Sequence, residues 1–189
     1  MSLQSGLPHK LVQGDSLDEF DAGRLTEAQN ELTDTKLRVF DRTGLRVSDI
    51  AAAARLYKRR EGLRLLVVDY IQLIEPTDRK VIREQQIAEF SRSLKQLAKS
   101  AGITVLCLAQ LNREIEKRTD KEPRLADLRE SGSIEQDADS VLLIHQPDES
   151  ERLREVIVAK NRHGQTGSVQ LDWMGSRMEF LEAEPENFQ

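Results

Sequence analysis

Two hydrophobic periods alternate along the chain. From about Asp18 to Leu32, the apolar positions Phe20, Leu25, Ala28 and Leu32 recur at mostly three- and four-residue steps, which predicts a surface helix or two short ones. Residues 37–40 are a short strand candidate, and residues 41–44 supply turn chemistry. Ser48 reads as the N-cap of a helix running to about Arg60, with Asp49 as an acid in its first turn and Gly62 as its stop. Residues 63–69 are a β-rich apolar run of the kind buried in parallel sheets. After a polar loop at 76–80, the positions Ile87, Phe90, Leu94, Leu97, Ala98 and Ala101 mark one face of a helix that ends at Gly102. A second apolar strand follows at 103–109. Strand, helix, strand is a βαβ unit whose right-handed crossover places both strands parallel in one sheet, so the fold class is α/β.

Residues 111–138 are polar, carry both charge signs and include Pro123 and Gly132, which predicts a long functional loop with short helical turns. The pattern returns to a strand at 138–145. Short strands at 155–160, 168–172 and 177–181, separated by Gly164, Gly167 and Gly175, predict a β meander. One domain over residues 10–182 is expected, with 1–9 as a lead or tag without fold meaning and 183–189 as a frayed tail.

Composition narrows the class without naming it. A formal net charge of −5 excludes a strongly basic stand-alone nucleic-acid binder but leaves a local site open. The single Cys107 excludes an internal disulfide framework and suits a reducing compartment, with the cytoplasm the expected address. No apolar stretch approaches the roughly 18 residues needed to span a bilayer.

Four groups of residues could carry chemistry. Asp69 ends the first apolar strand, the edge of an open α/β sheet where phosphate-handling proteins keep a Mg²⁺-linked acid; on this local evidence alone an Asp there more often merely caps the next turn. Gln110 ends the second strand in the same way. Its neutral amide could bond a γ-phosphate or an attacking water without adding negative charge, or could cap the polar loop. In Lys160-Asn161-Arg162-His163-Gly164, positions 160 and 162 project to one side of an extended chain and could address one anion, or form a solvated basic strand end. In the run from Asp127 to Asp139, Ser131 or Ser133 could cap a short helix, while Gly132 would let backbone N–H groups approach a phosphate. Residues 112–130, however, contain six basic positions (113, 117, 118, 121, 124, 129) and six acidic ones (114, 116, 120, 122, 127, 130), which is no electrostatic footprint for nucleic acid. His145 and His163 have no partners at metal-ligand spacing, so no metal-ligand cluster is read.

These segments, in this order, resemble the C-terminal motor domain of the DnaB family of replicative hexameric DNA helicases. The resemblance is carried by Leu66-Val67-Val68-Asp69-Tyr70-Ile71-Gln72-Leu73, Phe90-Ser91-Arg92-Ser93-Leu94-Lys95, Leu108-Ala109-Gln110-Leu111-Asn112-Arg113, the Asp127 to Asp139 run and Lys160-Asn161-Arg162-His163-Gly164. It covers roughly residues 10 to 182 and implies a RecA-like, mostly parallel sheet flanked by helices. It also implies Asp69 as the Mg²⁺-linked acid of the second nucleotide-binding motif and Gln110 as the γ-phosphate sensor. Lys160 and Arg162 would reach the ATP of an adjacent like subunit, with Arg162 as the finger. Arg129, Glu130 and Gly132 would face single-stranded DNA in the channel of a homo-hexameric ring.

Nothing in the chain matches G-x-x-x-x-G-K-[ST], and the family's catalytic glutamate has no counterpart. Two readings therefore stand: an ATP-dependent DNA-unwinding enzyme represented by an incomplete motor core, or a non-enzymatic module that assembles with DNA or helicase subunits. On either reading this chain alone is expected to bind neither ATP nor Mg²⁺. The strand that the family places centrally, between the strand ending at Gln110 and the one running to His145, is absent. Those flanking strands are expected to pair directly, or two chains to exchange elements or pair at their edges as a dimer, since residues 1–14 are too polar and proline-interrupted to fill the slot.

Overall fold

The computed structural model describes residues 5–13, 17–147 and 152–183. They divide into two compact units, one of Asp41–Leu143 with Ile157–Gly167, the other of Met1–Phe40 with Ile144–Val156 and Ser168–Gln189.

The first unit is built on the predicted βαβ element. Helix α2 (Val47–Glu61), preceded in the chain by helix α1 (Glu19–Thr33), leads into strand β1 (Leu65–Val68), helix α3 (Arg83–Ala101) and strand β2 (Thr104–Cys107). The two strands pair in parallel, Leu65 with Thr104 through Val68 with Cys107. Both α2 and α3 stop as their sequence dictates, at Gly62 and Gly102, each in the left-handed conformation that glycine adopts without a Cβ clash. The start of α2 differs from expectation by two residues. It begins at Val47, and the Asp49 carboxylate, not Ser48, closes it by accepting from the Arg46 N–H at 3.1 Å. An acid at the third helical position can reach back to that donor, whereas a serine inside the first turn cannot.

Ile87, Phe90 and Leu94 of α3 pack with Val68, Ile71 and Ile74 in one core, and Leu97 packs with Ala54 and Ile103 in a second. Leu66, Val105 and Cys107 face these clusters, while Leu65, Val67, Leu106 and Leu108 on the alternate positions are exposed. The strands are therefore buried on one face only, because α2 and α3 lie on the same side.

Beyond β2 the chain forms short helical turns at Arg113–Lys117 and Leu125–Ser131, then helix α4 (Gly132–Asp137) and strand β3 (Ser140–His145). A third core joins Leu128, Val141 and Leu143 to Ile157 and Ala159 of strand β4 (Leu153–Asn161). Strands β5 (Gly167–Met174) and β6 (Glu179–Glu182) complete the meander, with Trp173 opposite Phe180 and their rings 4.7 Å apart. Hydrogen bonding orders these strands β3-β4-β5-β6, in a sheet separate from β1-β2.

That separation overturns the expectation that β2 and β3 pair directly: among the described residues β2 pairs only with β1. The cause lies beneath the strands. Ala109 and Ile134 each contact both the α3 core and the Leu128 core, so side chains already packed there hold the strand ends in place. Residues 37–40, expected as a strand, are irregular, with Val39 80% exposed. A β-rich composition yields a strand only where a neighbouring ladder accepts it. Of the amino-terminal lead, Ser5 and Leu7 are buried, residues 9–12 form one helical turn, and the His9 N–H donates to the Ser176 carbonyl at 2.6 Å. Residues 184–189 lie outside the described part.

Candidate nucleotide and DNA sites

Asp69 and Gln110 lie just past the C-terminal ends of two adjacent parallel strands, the edge at which open α/β sheets bind ligands. The ladder continues beyond the strands proper: the Leu108 N–H donates to the Val68 carbonyl and the Ile71 N–H to the Leu108 carbonyl, each at 2.9 Å. Both Asp69 and Gln110 are exposed. Neither side chain makes a hydrogen bond or ion pair with a described residue. The Asp69–Tyr70 peptide bond is cis.

In the sequence Gln72 interrupts the apolar run from Leu65 to Ile74 and lies within the Leu66–Leu73 motif, with no role of its own assigned. In the structure its side-chain amide bridges both backbone groups of Gln110, accepting from the N–H at 3.3 Å and donating to the carbonyl at 3.2 Å. The Arg83 guanidinium donates to the Gln72 carbonyl and, at 3.0 Å, to Gln86 Oε1.

Lys160 and Arg162 form a second group. Both cations reach the C-terminal end of α4, where helical carbonyls lack intrahelical partners. Lys160 Nζ donates to the Glu135 carbonyl at 2.5 Å, and Arg162 Nη2 donates to the Gln136 carbonyl at 3.1 Å. Both cations thus have their hydrogen-bond partners at one helix end of this same chain. Arg162 Nη1 also pairs with Asp139 Oδ1 at 3.1 Å, while Lys95 Nζ holds Asp139 Oδ2 at 2.5 Å. The Lys95 hydrogen bond, with the charges of Lys95, Arg162 and His163, holds the Asp139 carboxyl below the usual carboxylate range. Lys95 and Asp139 belong to runs singled out in the sequence, but nothing there assigned them this pairing. Among the described residues no hydrogen bond or ion pair joins this group to Asp69 or Gln110.

The polar loop neutralises much of its own charge. Arg118 Nη2 pairs with Asp127 Oδ2 at 2.8 Å, the Arg124 N–H donates to the same oxygen at 2.7 Å, and Arg124 Nη2 pairs with Asp120 at 2.5 Å. The main chain of residues 129–132 lies where the last helical turn meets α4; the side chains of Arg129, Glu130 and Ser131 lie outside the described part. Among the described residues no three His, Cys, Asp or Glu side chains converge to hold a metal, and no helix is long and apolar enough to cross a membrane.

The family model of the DnaB-like helicase C terminal domain matches residues 1–182. The replicative DNA helicase DnaB of Geobacillus stearothermophilus is 42% identical over 171 residues, covering 87% of this chain and 38% of the relative. The replicative DNA helicase DnaC of Bacillus subtilis is 40% identical over 176 residues, covering 89% of this chain and 39% of the relative. The chain thus spans about two-fifths of the length of these curated relatives. Among solved structures, one described as an ATPase domain superposes with a TM-score of 0.90 at 34% identity, covering 97% of this chain and 68% of that one. A DnaB-like replicative helicase, described with its interactions with primase, superposes with a TM-score of 0.88 at 35% identity, covering 97% of this chain and 47% of that one. The chain belongs to the DnaB-like helicase C-terminal domain family, with the α/β fold of its ATPase domains.

Proposed function

We propose that this chain is the downstream part of the ATP-driven motor of a ring-forming replicative DNA helicase, and that it serves two nucleotide sites at once. Asp69 and Gln110 act on the ATP of their own subunit, and Lys160 and Arg162 act on that of the neighbour. The observation that carries this reading is the division of the candidate residues into two groups. One is an unengaged acid and amide at a parallel-strand edge, the other a pair of cations anchored on α4.

Nucleotide-bound Mg²⁺ keeps several waters and takes only one or two carboxylates besides the phosphates. An exposed Asp69 with no internal hydrogen bond suits that role and needs no multidentate cluster. The ion, when bound, neutralises charge on the phosphates. Gln110 presents a neutral amide that can donate to the γ-phosphate. Arg162 must exchange Asp139 and the Gln136 carbonyl for phosphate oxygens; because Lys95 remains on Asp139, that carboxylate is not left uncompensated. Arg129, Glu130 and Gly132 are proposed to face single-stranded DNA, mainly through its phosphates, with ring multiplicity making up for the weak charge of one copy.

Incubated with ATP and Mg²⁺, the 189-residue chain is expected to hydrolyse ATP no faster than a buffer control. In the full-length helicase, Asp69→Ala should lower DNA-stimulated hydrolysis about a hundredfold. Multiple turnover by the 189-residue chain that Asp69→Ala abolishes would contradict the reading of this chain as a part of the motor that is inactive by itself.

A further inference from the structure

We propose that Gln72 is a positioning residue: it fixes the backbone of Gln110 so that the Gln110 side chain alone is left to respond to the γ-phosphate. The inference rests on the sensor role proposed above for Gln110 and adds a second residue to it.

The geometry of the strand ends leads to this assignment. The β1–β2 ladder runs on through Leu108 N–H to the Val68 carbonyl and Ile71 N–H to the Leu108 carbonyl. At that point the main chain turns away into the short helix Ile71–Leu73, and no further backbone rung is available. The side chain of Gln72 supplies the next one. A primary amide carries the same donor and acceptor as a peptide group, and here it takes both polar groups of Gln110, at 3.3 and 3.2 Å. Arg83 secures the other side of Gln72 by donating to its backbone carbonyl.

Gln110 consequently has its backbone held at both ends while its own amide is exposed and unengaged. The amide of glutamine at position 72 meets both demands. A glutamate of the same length can accept from the Gln110 N–H but sets a carboxylate oxygen against the Gln110 carbonyl, and a leucine offers neither bond. Because Gln110 is exposed, water can take over its backbone groups, so such variants keep the fold and lose the placement. A misplacement of about 1 Å in a group that touches the reacting phosphate can cost about a hundredfold in rate.

The test uses the full-length helicase and the 189-residue chain together. In the full-length protein, Gln72→Glu and Gln72→Leu should each lower kcat for DNA-stimulated ATP hydrolysis about tenfold or more, with KM for ATP within about twofold of the parent. The double variant Gln72→Glu with Gln110→Ala should be no slower than Gln110→Ala alone, since a residue acting only through Gln110 adds nothing once that amide is gone. In the 189-residue chain, Gln72→Leu, which removes the acceptor of the Gln110 N–H, should speed amide exchange at Gln110 while exchange at Leu97 in α3 is unchanged. Wild-type kcat in the Gln72 variants beside a large loss in Gln110→Ala overturns the inference and leaves the sensor reading intact. No loss in Gln110→Ala itself overturns the sensor reading and this inference with it. Lost protection at Leu97 would make Gln72 a folding residue and also contradict the proposal.

Discussion

Cys107 ends β2 with its side chain turned toward the α3 core, and burial pushes its thiol up from 9.0 to about 11. The thiolate is the reactive form, so a shift of that size lowers the reactive fraction near pH 8 by roughly a hundredfold relative to the unfolded chain. Alkylation of Cys107 should therefore be slow in the native protein and accelerate by about that factor in denaturant; equal rates would mean that the β2 end is open. The same scale shows what a sequence can and cannot reveal about single residues. Asp69 and Gln110 could be picked out because each follows an apolar strand, and strand ends of a parallel sheet are where ligands bind. Gln72 and Asp139 could not be assigned their partners, because both partnerships are long-range: Gln72 meets a residue 38 positions away, and Asp139 meets Lys95 at 44 and Arg162 at 23. Local pattern carries no information on such pairs.

At the level of elements, periodicity and punctuation located α2, β1, α3 and β2, since an amphipathic stripe closed by a left-handed glycine is a local property. Two positions near the C-terminal end of α3 allow packing and backbone effects to be separated. Leu97 is 1% exposed among Ala54 and Ile103, so Leu97→Ala should cost about 2–5 kcal/mol. A Cβ at Gly102 would meet nothing within 4 Å, but the residue sits at φ 59°, so Gly102→Ala should cost only about 1–2 kcal/mol through the backbone. Denaturant titration of both variants checks the ranking, and an equal or reversed order would show that α3 is not held chiefly by its buried stripe. Residues 37–40 and the β2–β3 junction were misjudged for one shared reason. Whether a β-prone segment pairs depends on which ladder the rest of the fold presents: residues 37–40 are irregular and exposed, and among the described residues β2 pairs with β1 alone.

For the molecule as a whole, the family was legible because five separated motifs keep one order, whereas the two-sheet arrangement was not, because it follows from packing shared by Ala109 and Ile134. The exposed apolar face formed by Leu65, Val67, Leu106 and Leu108 was hidden for the same reason: an apolar run does not say how many of its faces helices will cover. What the whole molecule adds to its residues is the partition of the proposed ATP chemistry between neighbouring subunits. Anchored on α4 and Asp139, Arg162 sits apart from Asp69 and Gln110 in its bonding, and an arginine supplied to a neighbour's phosphates is worth about 10³-fold or more in rate. The most direct measurement mixes full-length subunits carrying Arg162→Ala with subunits carrying Asp69→Ala and follows DNA-stimulated ATP hydrolysis in rings verified to contain both. Each variant alone should be nearly inactive, and the mixed rings should recover hydrolysis at interfaces where an intact Asp69 meets an intact Arg162; verified mixed rings with no recovery would contradict the account.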